Sequence, residues 1–575
     1  MLDKYKQELI KSIAQSSPLS QELIEKLLEK PKSQEHGDLA IPCFPLAKQW
    51  QISPPECAKR LAEQIELPQG FSESIVVGPY INFRFDKQEI IKTVIPQLLQ
   101  AGDNVGAQKP HGKQVIVEYS SPNIAKTFHV GHLRTTLIGH SLVQIYNHLG
   151  YKTIGINHLG DWGTQFGFVW AGCEIWGKPK EESVDALVEI YQRATKLRKQ
   201  QDSDTVPDED KATPDINQLA REYFVRLEAE ESEAFTFWKW CLDISLSYLK
   251  QQYTRLGITF DHYTGESFYR DMLESVEQKI KDAGILEESK GALGIDLGKK
   301  LGFARIFTED GRSLYITRDI ATALYRQETY DVEKILYVVA AQQSLHFKQL
   351  VGILEKMDNP VAEKINHLGF GFVPGMSTRE GGAISLKHFL TEATQRAQAA
   401  YESEVSRKPD TIDVEKVAEA VAIGATYYYF LSHVNVKDFQ FSWEQALNFQ
   451  GDSGPYLQYA VARINSIEQK ASDAGIKIAQ EIDPNALNTD EAFLLVKKLA
   501  AFEESVQKAC AENEPYHIAT HMLEIAKGFS KAYQVLRVVG EQQDVASSRL
   551  ALFIATRNVL STGLKLIGVP IINRM

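Results

Sequence analysis

The pattern of apolar and polar residues changes character along the chain, beginning with a mixed segment of about one hundred residues. Two stretches of helical periodicity come first, and a strand-like alternation follows them. In that alternation Ile81, Phe83 and Phe85 face one way, whereas Asn82 and Arg84 face the other. The pattern predicts a small α+β unit whose half-exposed strand presents Asn82 and Arg84 outward.

The next segment reads as strand, loop, helix and strand. The apolar run Val115–Tyr119 predicts a buried parallel strand, and the polar residues that follow it break the strand. Apolar residues then recur at helical spacing from Leu133 to Leu149, and residues 152–157 (KTIGIN) predict a second strand. The loop between the first strand and the helix, which contains His129 to His132, therefore lies at the ligand-binding edge of an α/β sheet.

The second half of the sheet is predicted from two later stretches. Residues 313–326 (SLYITRDIATALYR) begin with an alternation that predicts a strand ending near Asp319, and Ile335–Val339 forms a second apolar run. Between the two halves we expect an insertion at about 168–290. Its charged part, at about 180–215, lacks apolar periodicity and predicts an exposed excursion.

From about residue 390 the pattern is almost wholly helical, which predicts a helical bundle. The chain has 575 residues, which is too many for one core. We therefore expect a multidomain α/β protein. The predicted units are an N-terminal domain at 1–105, a sheet domain with its insertion at 106–390, and a helical region at 391–575.

Composition narrows the class of protein. Apolar runs stay well short of the ~20 residues that span a membrane, so no membrane partner is expected. The five cysteines are scattered without a CxxC pair, which predicts reduced thiols, a cytoplasmic location and no zinc site. The net charge of −12 disfavours nucleic acid, yet residues 545–575 carry four basic residues and no acidic one. That tail is either a local basic patch for a polyanion or a helix with solvated cations.

The four residues His129 to His132 (HVGH) suit a nucleotide. A helix start presents free N–H groups to an anion, and Gly131 lets a flat ring approach the backbone. His129 and His132 can donate hydrogen bonds to phosphate oxygens as charge builds up. Two of fourteen histidines can also fall together by chance, but here the strand, turn and helix lie where such a motif needs them. HVGH resembles the HIGH signature of class I aminoacyl-tRNA synthetases.

Several further stretches resemble arginyl-tRNA synthetases, and the resemblance spans nearly the whole chain. They are EYSSPNIAKTFHVGH, NHLGDWGTQFG, YITRD, AAQQSLHFKQL, GMSTREGG and GDSGPYLQYAVARI, together with EHGDLA and GPYINFRF near the N-terminus. The resemblance implies a Rossmann-type catalytic domain, an additional N-terminal domain and an anticodon-binding bundle. It also implies activation of L-arginine with Mg-ATP and transfer of the arginyl group to the terminal ribose of arginine tRNA, by an enzyme expected to be a monomer.

The resemblance assigns ATP contacts to His129, Gly131 and His132, and to Met376 and Ser377 in the loop GMSTRE. Class I enzymes usually carry KMSKS there, so this chain lacks both lysines. Many arginyl enzymes lack them too. Lys126 and Arg379 are the candidates for the missing positive charge, and the sequence does not choose between them.

A buried guanidinium needs carboxylate acceptors. By resemblance, the residues around arginine are Glu118, Asn123, His129, Tyr315, Asp319 and Gln343. An acid such as Asp319 could instead cap a helix. Tyr533 and Met575 match positions that contact the anticodon, and Asn82 matches one at the tRNA elbow.

Two alternatives stay open at this point. One is another class I ligase, such as a cysteine enzyme, for which zinc-type ligands would be expected. The other is a related RNA-binding protein without catalysis, which the intact HVGH and the acidic residues disfavour.

Overall fold

The computed structural model describes residues 1–203, 205–207, 212–289, 291–308, 314–374, 384–404 and 413–575. Its N-terminal part contains α1 Asp3–Ser16, α2 Gln21–Leu27, β1 Leu39–Pro42, α3 Phe44–Trp50, α4 Pro54–Gln64, β2 Phe71–Val77, β3 Tyr80–Phe85 and α5 Lys87–Ala101. The three strands form an antiparallel sheet in the order β1-β3-β2.

The expected outward position of Asn82 is wrong. Strand β3 is the central strand, and Asn82 is only 2% exposed. Its side-chain amide donates to the carbonyl of Ile75 on β2 at 3.1 Å, so the sheet satisfies the amide that was expected to face solvent.

A five-stranded parallel sheet forms the centre of the protein. In chain order, the elements of this part are β4 Gln114–Glu118, α6 Leu133–His148, β5 Lys152–Asn157, α7 Thr164–Trp176, α8 Val184–Asp202, α9 Ile216–Glu228, α10 Ser232–Leu256, β6 His262–Tyr263, α11 Leu273–Asp282, β7 Glu287–Ser289, β8 Ala292–Asp296, α12 Gly298–Leu301, β9 Phe303–Arg305, α13 Tyr315–Thr329, β10 Val332–Ala340, α14 Ser344–Lys356 and β11 Ile365–Phe370. The strand order is β11-β10-β4-β5-β6, so β4 and β10 are neighbours although the whole insertion separates them in sequence. β7 to β9 form a separate antiparallel sheet.

Two expectations about this part are wrong. Tyr315 to Thr317 open helix α13 rather than a strand, because Ile316, Ile320 and Leu324 recur at helical spacing and are buried. The charged stretch is not wholly an exposed excursion, because residues 184–202 form helix α8. Its sparse apolar stripe, including Leu187 and Leu197, is buried among the insertion helices.

The C-terminal part is helical, as predicted. It contains α15 Leu386–Glu404, α16 Val414–Leu431, α17 Trp443–Ala446, α18 Gly454–Asp473, α19 Asp490–Ala500, α20 Phe502–Glu512, α21 Tyr516–Val535 and α22 Gln543–Leu566. Helix α22 is buried along most of its length, packs on α18, α21 and α5, and touches α6.

Polar contacts also join the parts of the molecule. Asn558 on α22 donates to the carbonyl of Leu98 at 3.1 Å, and Ser141 on α6 donates to that of Leu566 at 2.9 Å. Helix α22 of the bundle is thus bonded to α5 of the N-terminal part, and α6 beside the central sheet is bonded to the end of α22. None of the helices in the described ranges is long and apolar enough to cross a bilayer.

Candidate active site

The HVGH residues cap the short 3-10 turn, Val130–His132, that leads into α6. His129 Nδ1 accepts a hydrogen bond from the Gly131 amide at 3.0 Å, and His132 Nδ1 accepts one from the His129 amide at 3.3 Å. The two rings lie 4.1 Å apart between centroids. Because each Nδ1 is an acceptor, the hydrogen of each neutral ring sits on Nε2, which remains available as a donor.

Burial keeps both imidazoles neutral. It lowers the pKa of His129, and it lowers the pKa of His132 to about 3, with the neighbouring His129 adding to that effect. A neutral pair donates hydrogen bonds without carrying a fixed charge. A Cβ at Gly131 would lie 2.7 Å from His129 Cε1, so the glycine is required for the ring's position as well as for access to the backbone.

The loop between β4 and α6 is conformationally strained. Ser120, Ser121 and Ala125 are three of the seven non-glycine residues with positive φ in the described part of the chain. Side chains from elsewhere fix this backbone. The Ser120 amide donates to Thr135 Oγ1 at 3.2 Å, and the Ala125 amide donates to Ser245 Oγ at 3.3 Å. Strain held by such contacts is typical of functional loops.

The fixed loop places two of the predicted residues. Asn123 bridges to Gly160, whose missing side chain leaves room for the Asn123 amide, since a Cβ there would lie 2.2 Å from Asn123 Oδ1. The ammonium of Lys126 lies 5.7 Å from the centre of the Tyr191 ring on α8. An insertion helix therefore reaches the residue proposed to supply positive charge.

The segments on both sides of the loop GMSTRE form hydrogen bonds with residues in or beside HVGH. The Leu386 amide donates to the carbonyl of Phe128 at 2.8 Å, and the Val130 amide donates to that of Ile384 at 3.1 Å. On the other flank, Arg134 donates to the carbonyl of Gly371. Residues 375–383, and with them Met376, Ser377 and Arg379, lie outside the described residues.

Glu118 ends β4, as predicted, and forms a buried ion pair. Its Oε2 lies 2.6 Å from Nη2 of Arg326, whose side chain is wholly buried. Arg326 also lies over the ring of Tyr337, the residue beside Glu118 in the parallel ladder. Burial alone would lower the pKa of this guanidinium, but Glu118 and its other neighbours raise it overall.

The first turns of α13 carry more charged groups. Asp319 Oδ2 lies 2.7 Å from His346 Nε2 at the start of α14. The Tyr315 hydroxyl donates to Glu266 Oε1 at 3.0 Å, and Arg318 donates to Glu266 Oε2 at 2.8 Å. Burial raises the pKa of Glu266, because the two donors and the other neighbouring charges compensate only partly.

These groups share one region. Tyr315 is 55% exposed as a residue, but desolvation of its hydroxyl raises its pKa, and the nearby carboxylates of Glu266, Asp319 and Glu118 raise it further. The structure thus brings three predicted residues, Glu118, Tyr315 and Asp319, together with Glu266 in one cluster, which we call the acidic cleft. Gln343 lies on the 3-10 turn that leads into α14, with its side chain exposed.

Sequence reasoning missed four residues of this cleft, namely Glu266, Arg318, Arg326 and His346. Once residues 315–329 are treated as a helix, Arg326 is a charged residue on the apolar face of that helix. A buried charge normally has a partner, so the pattern would have indicated a buried ion pair. Glu266 gave no local signal, because only the fold brings it to Tyr315 and Arg318, roughly fifty residues away.

Tyr533 and Met575 line a cavity in the bundle, which has a volume of about 510 Å³. Three cations share its lining: Arg463, Lys470 and Arg537. The guanidinium of Arg463 stands 4.1 Å from the centre of the Tyr533 ring. Aromatic and cationic side chains together suit a stacked nucleobase beside phosphate.

Comparison with known families accounts for most of the chain. The model described as tRNA synthetases class I (R), catalytic domain, matches residues 94–443. The DALR anticodon binding domain matches 457–575, and the arginyl tRNA synthetase N terminal domain matches 3–85.

Similar proteins extend over the full length. A protein named arginine–tRNA ligase from Halothermothrix orenii is 39% identical, covering 100% of both chains. One of that name from Clostridioides difficile is 38% identical over 97% of each chain. The arginyl-tRNA synthetase of Thermus thermophilus shares the fold, with a TM-score of 0.80 at 24% identity over 99% of each chain. The full-length relatives and the catalytic-domain model together show that the chain belongs to the arginyl-tRNA synthetase family.

Proposed function

We propose that the acidic cleft at the carboxyl ends of β4 and β10 binds the arginine that this arginine–tRNA ligase attaches to its tRNA. The observation that carries the proposal is the meeting of Glu118, Asp319 and Glu266 around Tyr315. A guanidinium presents five donors in a fixed fork and stays charged, so a half-buried site for it requires formal negative charge. Asn123, His129 and Gln343 are proposed to contact the rest of the amino acid.

ATP is proposed to lie on the HVGH turn. The Nε2–H groups of His129 and His132 would donate to its phosphates, and Gly131 leaves space for the adenosine. Such donors act most strongly as charge develops at the α-phosphate, when the arginine carboxylate attacks it and pyrophosphate leaves. Mg²⁺ would be held through the nucleotide's phosphates, its usual ligands in such sites, and would neutralise part of their charge.

The positive charge that GMSTRE lacks is assigned to Lys126, with Arg379 as the alternative. Lys126 sits on the strained loop three residues before His129, and its ammonium lies 5.7 Å from the centre of the Tyr191 ring. Met376 and Ser377 stay in the proposal as nucleotide contacts on the family resemblance alone.

The tRNA is proposed to contact two places far from the cleft. Tyr533 and Met575 would hold an anticodon base in the cationic cavity of the bundle. Asn82 is the weakest of the tRNA residues, because its amide is buried and already bonded. A contact there would use the sheet around Asn82 rather than its side chain.

We also propose domain limits of 1–105, 106–390 with the insertion at about 168–290, and 391–575. We also propose a monomer located in the cytoplasm. The five cysteines, all buried and free, are compatible with a reducing compartment.

The test of the cleft is the variant Asp319→Asn, assayed by ATP–pyrophosphate exchange with tRNA present, since family members generally need tRNA for activation. Breaking a buried charge pair costs about 2 to 5 kcal/mol, so arginine affinity should fall by that amount. Citrulline has the shape of arginine without its charge. The ratio of the affinity for arginine to that for citrulline should therefore decrease in the variant. Wild-type affinity and discrimination in both Asp319→Asn and Glu118→Gln would place the side-chain pocket elsewhere.

A further inference from the structure

Each carboxylate of the acidic cleft already has a basic partner from the enzyme. Glu118 is paired with Arg326 at 2.6 Å, Glu266 with Arg318 at 2.8 Å, and Asp319 with His346 at 2.7 Å. Three negative charges thus face two guanidinium groups and one imidazole. With the imidazole protonated, the empty cleft is neutral, and an arriving guanidinium would leave one positive charge without a partner.

Only one of these basic partners can give up its charge near neutral pH. Arginine guanidinium groups stay protonated throughout the range in which proteins are folded. Histidine titrates within that range. The hydrogen bond to Asp319 raises the pKa of His346, against the opposing effect of burial, so the free enzyme holds the proton more firmly than an ordinary histidine does.

The surroundings of His346 contain few other titratable groups. Tyr315 on α13 lies 6.4 Å away between ring centroids, and Phe347 stands between His346 and the ring of His367 on β11. His367 is hydrogen-bonded to the carbonyl of Val339, and burial lowers its pKa, so it stays neutral. The positive charges of Lys348 and His346 lower the pKa of His367 further. Asp319 is the carboxylate hydrogen-bonded to His346, and this bond is the main cause of the raised pKa of His346.

We propose that His346 is the counter-ion of Asp319 in the empty cleft and that bound arginine takes its place, so that binding releases one proton. The proton leaves the imidazolium Nε2 for water or buffer, and no other covalent bond changes. The neutral ring then no longer repels the guanidinium, and the total charge of the cleft stays at zero. This makes His346 a positioning residue for Asp319 and a determinant of affinity for a permanently charged side chain.

This inference rests on the proposed arginine site at Asp319, and it predicts a specific pH dependence. Protonated His346 competes with arginine for Asp319, so arginine should bind more tightly as pH rises. The gain should approach tenfold per pH unit below the pKa of His346 in the free enzyme and vanish above that pKa. Glu266, whose pKa is also raised, would act in the same direction, so pH dependence alone does not identify the group.

The experiment is calorimetric titration of the full chain with arginine, with tRNA present, at pH 6 to 8 in buffers of different ionisation enthalpy. Wild type should release up to one proton near pH 6.5. His346→Gln keeps a neutral donor to Asp319, and it should lose most of both the proton release and the pH slope. At pH 6 it should bind arginine at least as tightly as wild type.

The matched control is His367→Gln, which removes a nearby imidazole bonded to a backbone carbonyl, and it should behave as wild type. Absence of proton release from wild type over this range would overturn the inference without any variant. So would an unchanged slope and proton release in His346→Gln. Either result, combined with weakened binding in Asp319→Asn, would leave the arginine site standing; intact binding in Asp319→Asn would remove the site itself.

Discussion

Arg326 on α13 and Glu118 on β4 form an ion pair 2.6 Å long in which the guanidinium is wholly buried. Nε and Nη1 of Arg326 have no hydrogen-bond partner among the described residues. A buried cation so poorly satisfied is expensive, and its one strong partner is a residue of the acidic cleft. The pair therefore joins α13 to β4 through two buried opposite charges.

The pair gives a stability prediction. Arg326→Met should lower the free energy of unfolding by about 3 to 5 kcal/mol, because it leaves Glu118 buried without a counter-charge. The double variant Arg326→Met/Glu118→Gln removes both charges and should recover most of that loss. Urea unfolding of the single and double variants measures both effects. A double variant as unstable as Arg326→Met would mean that packing, not charge, explains the loss.

The HVGH turn gives an activity prediction. His129→Ala and His132→Ala should each raise the activation free energy of the exchange reaction by about 3 to 4 kcal/mol, the typical cost of losing one such donor. Circular dichroism should show an unchanged fold. Near-normal exchange in both variants would remove the ATP assignment.

Gly131→Ala tests the position of the rings rather than their presence. Its Cβ would lie 2.7 Å and 2.8 Å from two atoms of the His129 ring, so the imidazole must move. We expect a lower turnover number with both histidines intact. Full activity in Gly131→Ala would show that the ring's position is not critical.

The pH profile of the exchange reaction tests the charge of His132. Because burial lowers the pKa of His132 to about 3, this residue should contribute no titration to the activity profile between pH 6 and 8.

Lys126→Ala should lower the turnover number more than it raises the Michaelis constant for ATP, because the lost charge acts mainly in the transition state. Tyr191→Leu should reproduce part of this effect, whereas Tyr191→Phe, which keeps an aromatic face, should not. Steady-state kinetics of the exchange reaction measure both parameters. A larger effect on turnover from Arg379→Ala would assign the role to the loop instead.

The cavity in the bundle gives a prediction about tRNA. Tyr533→Ala, or deletion of residues 573–575, should weaken charging of arginine tRNA without changing arginine activation once tRNA is saturating. Arg463→Gln should also flatten the salt dependence of tRNA binding, since one fewer cation meets the polyanion. Unchanged tRNA affinity in all three variants would count against an anticodon role for this cavity.

Local signals were enough to predict the strand, turn and helix around HVGH. The apolar run ending at Glu118, the polar break and the helical spacing after His132 all recur in the structure. The same reasoning predicted the strand at Ile335–Val339, which lies within β10. Where the apolar periodicity matches the residues that are buried, the local sequence predicts the strand or helix.

Prediction from the sequence failed where helical and strand periodicities compete over the same residues. It also failed where contacting residues are distant in the sequence. Tyr315 to Thr317 alternate over three residues, but the longer stripe through Ile320 and Leu324 decides for a helix. Helix α8 hides its stripe among charged residues, since only a few small or apolar side chains face inward. Glu266 and His346 become part of the cleft only through tertiary packing, which no local pattern reports.

The placement of β10 beside β4 also has a consequence for synthesis on the ribosome. Thr135 on α6 donates to the carbonyl of Val338 on β10 at 2.6 Å, and the two residues are 203 positions apart in the chain. Ribosomes usually add about 5 to 20 residues per second. After β4 has been made, on the order of 10 to 40 seconds would therefore pass before β10 is available to pair with it. During that interval the apolar edge of β4 is open to wrong partners, so this enzyme should depend on a chaperone most strongly while its insertion is being translated.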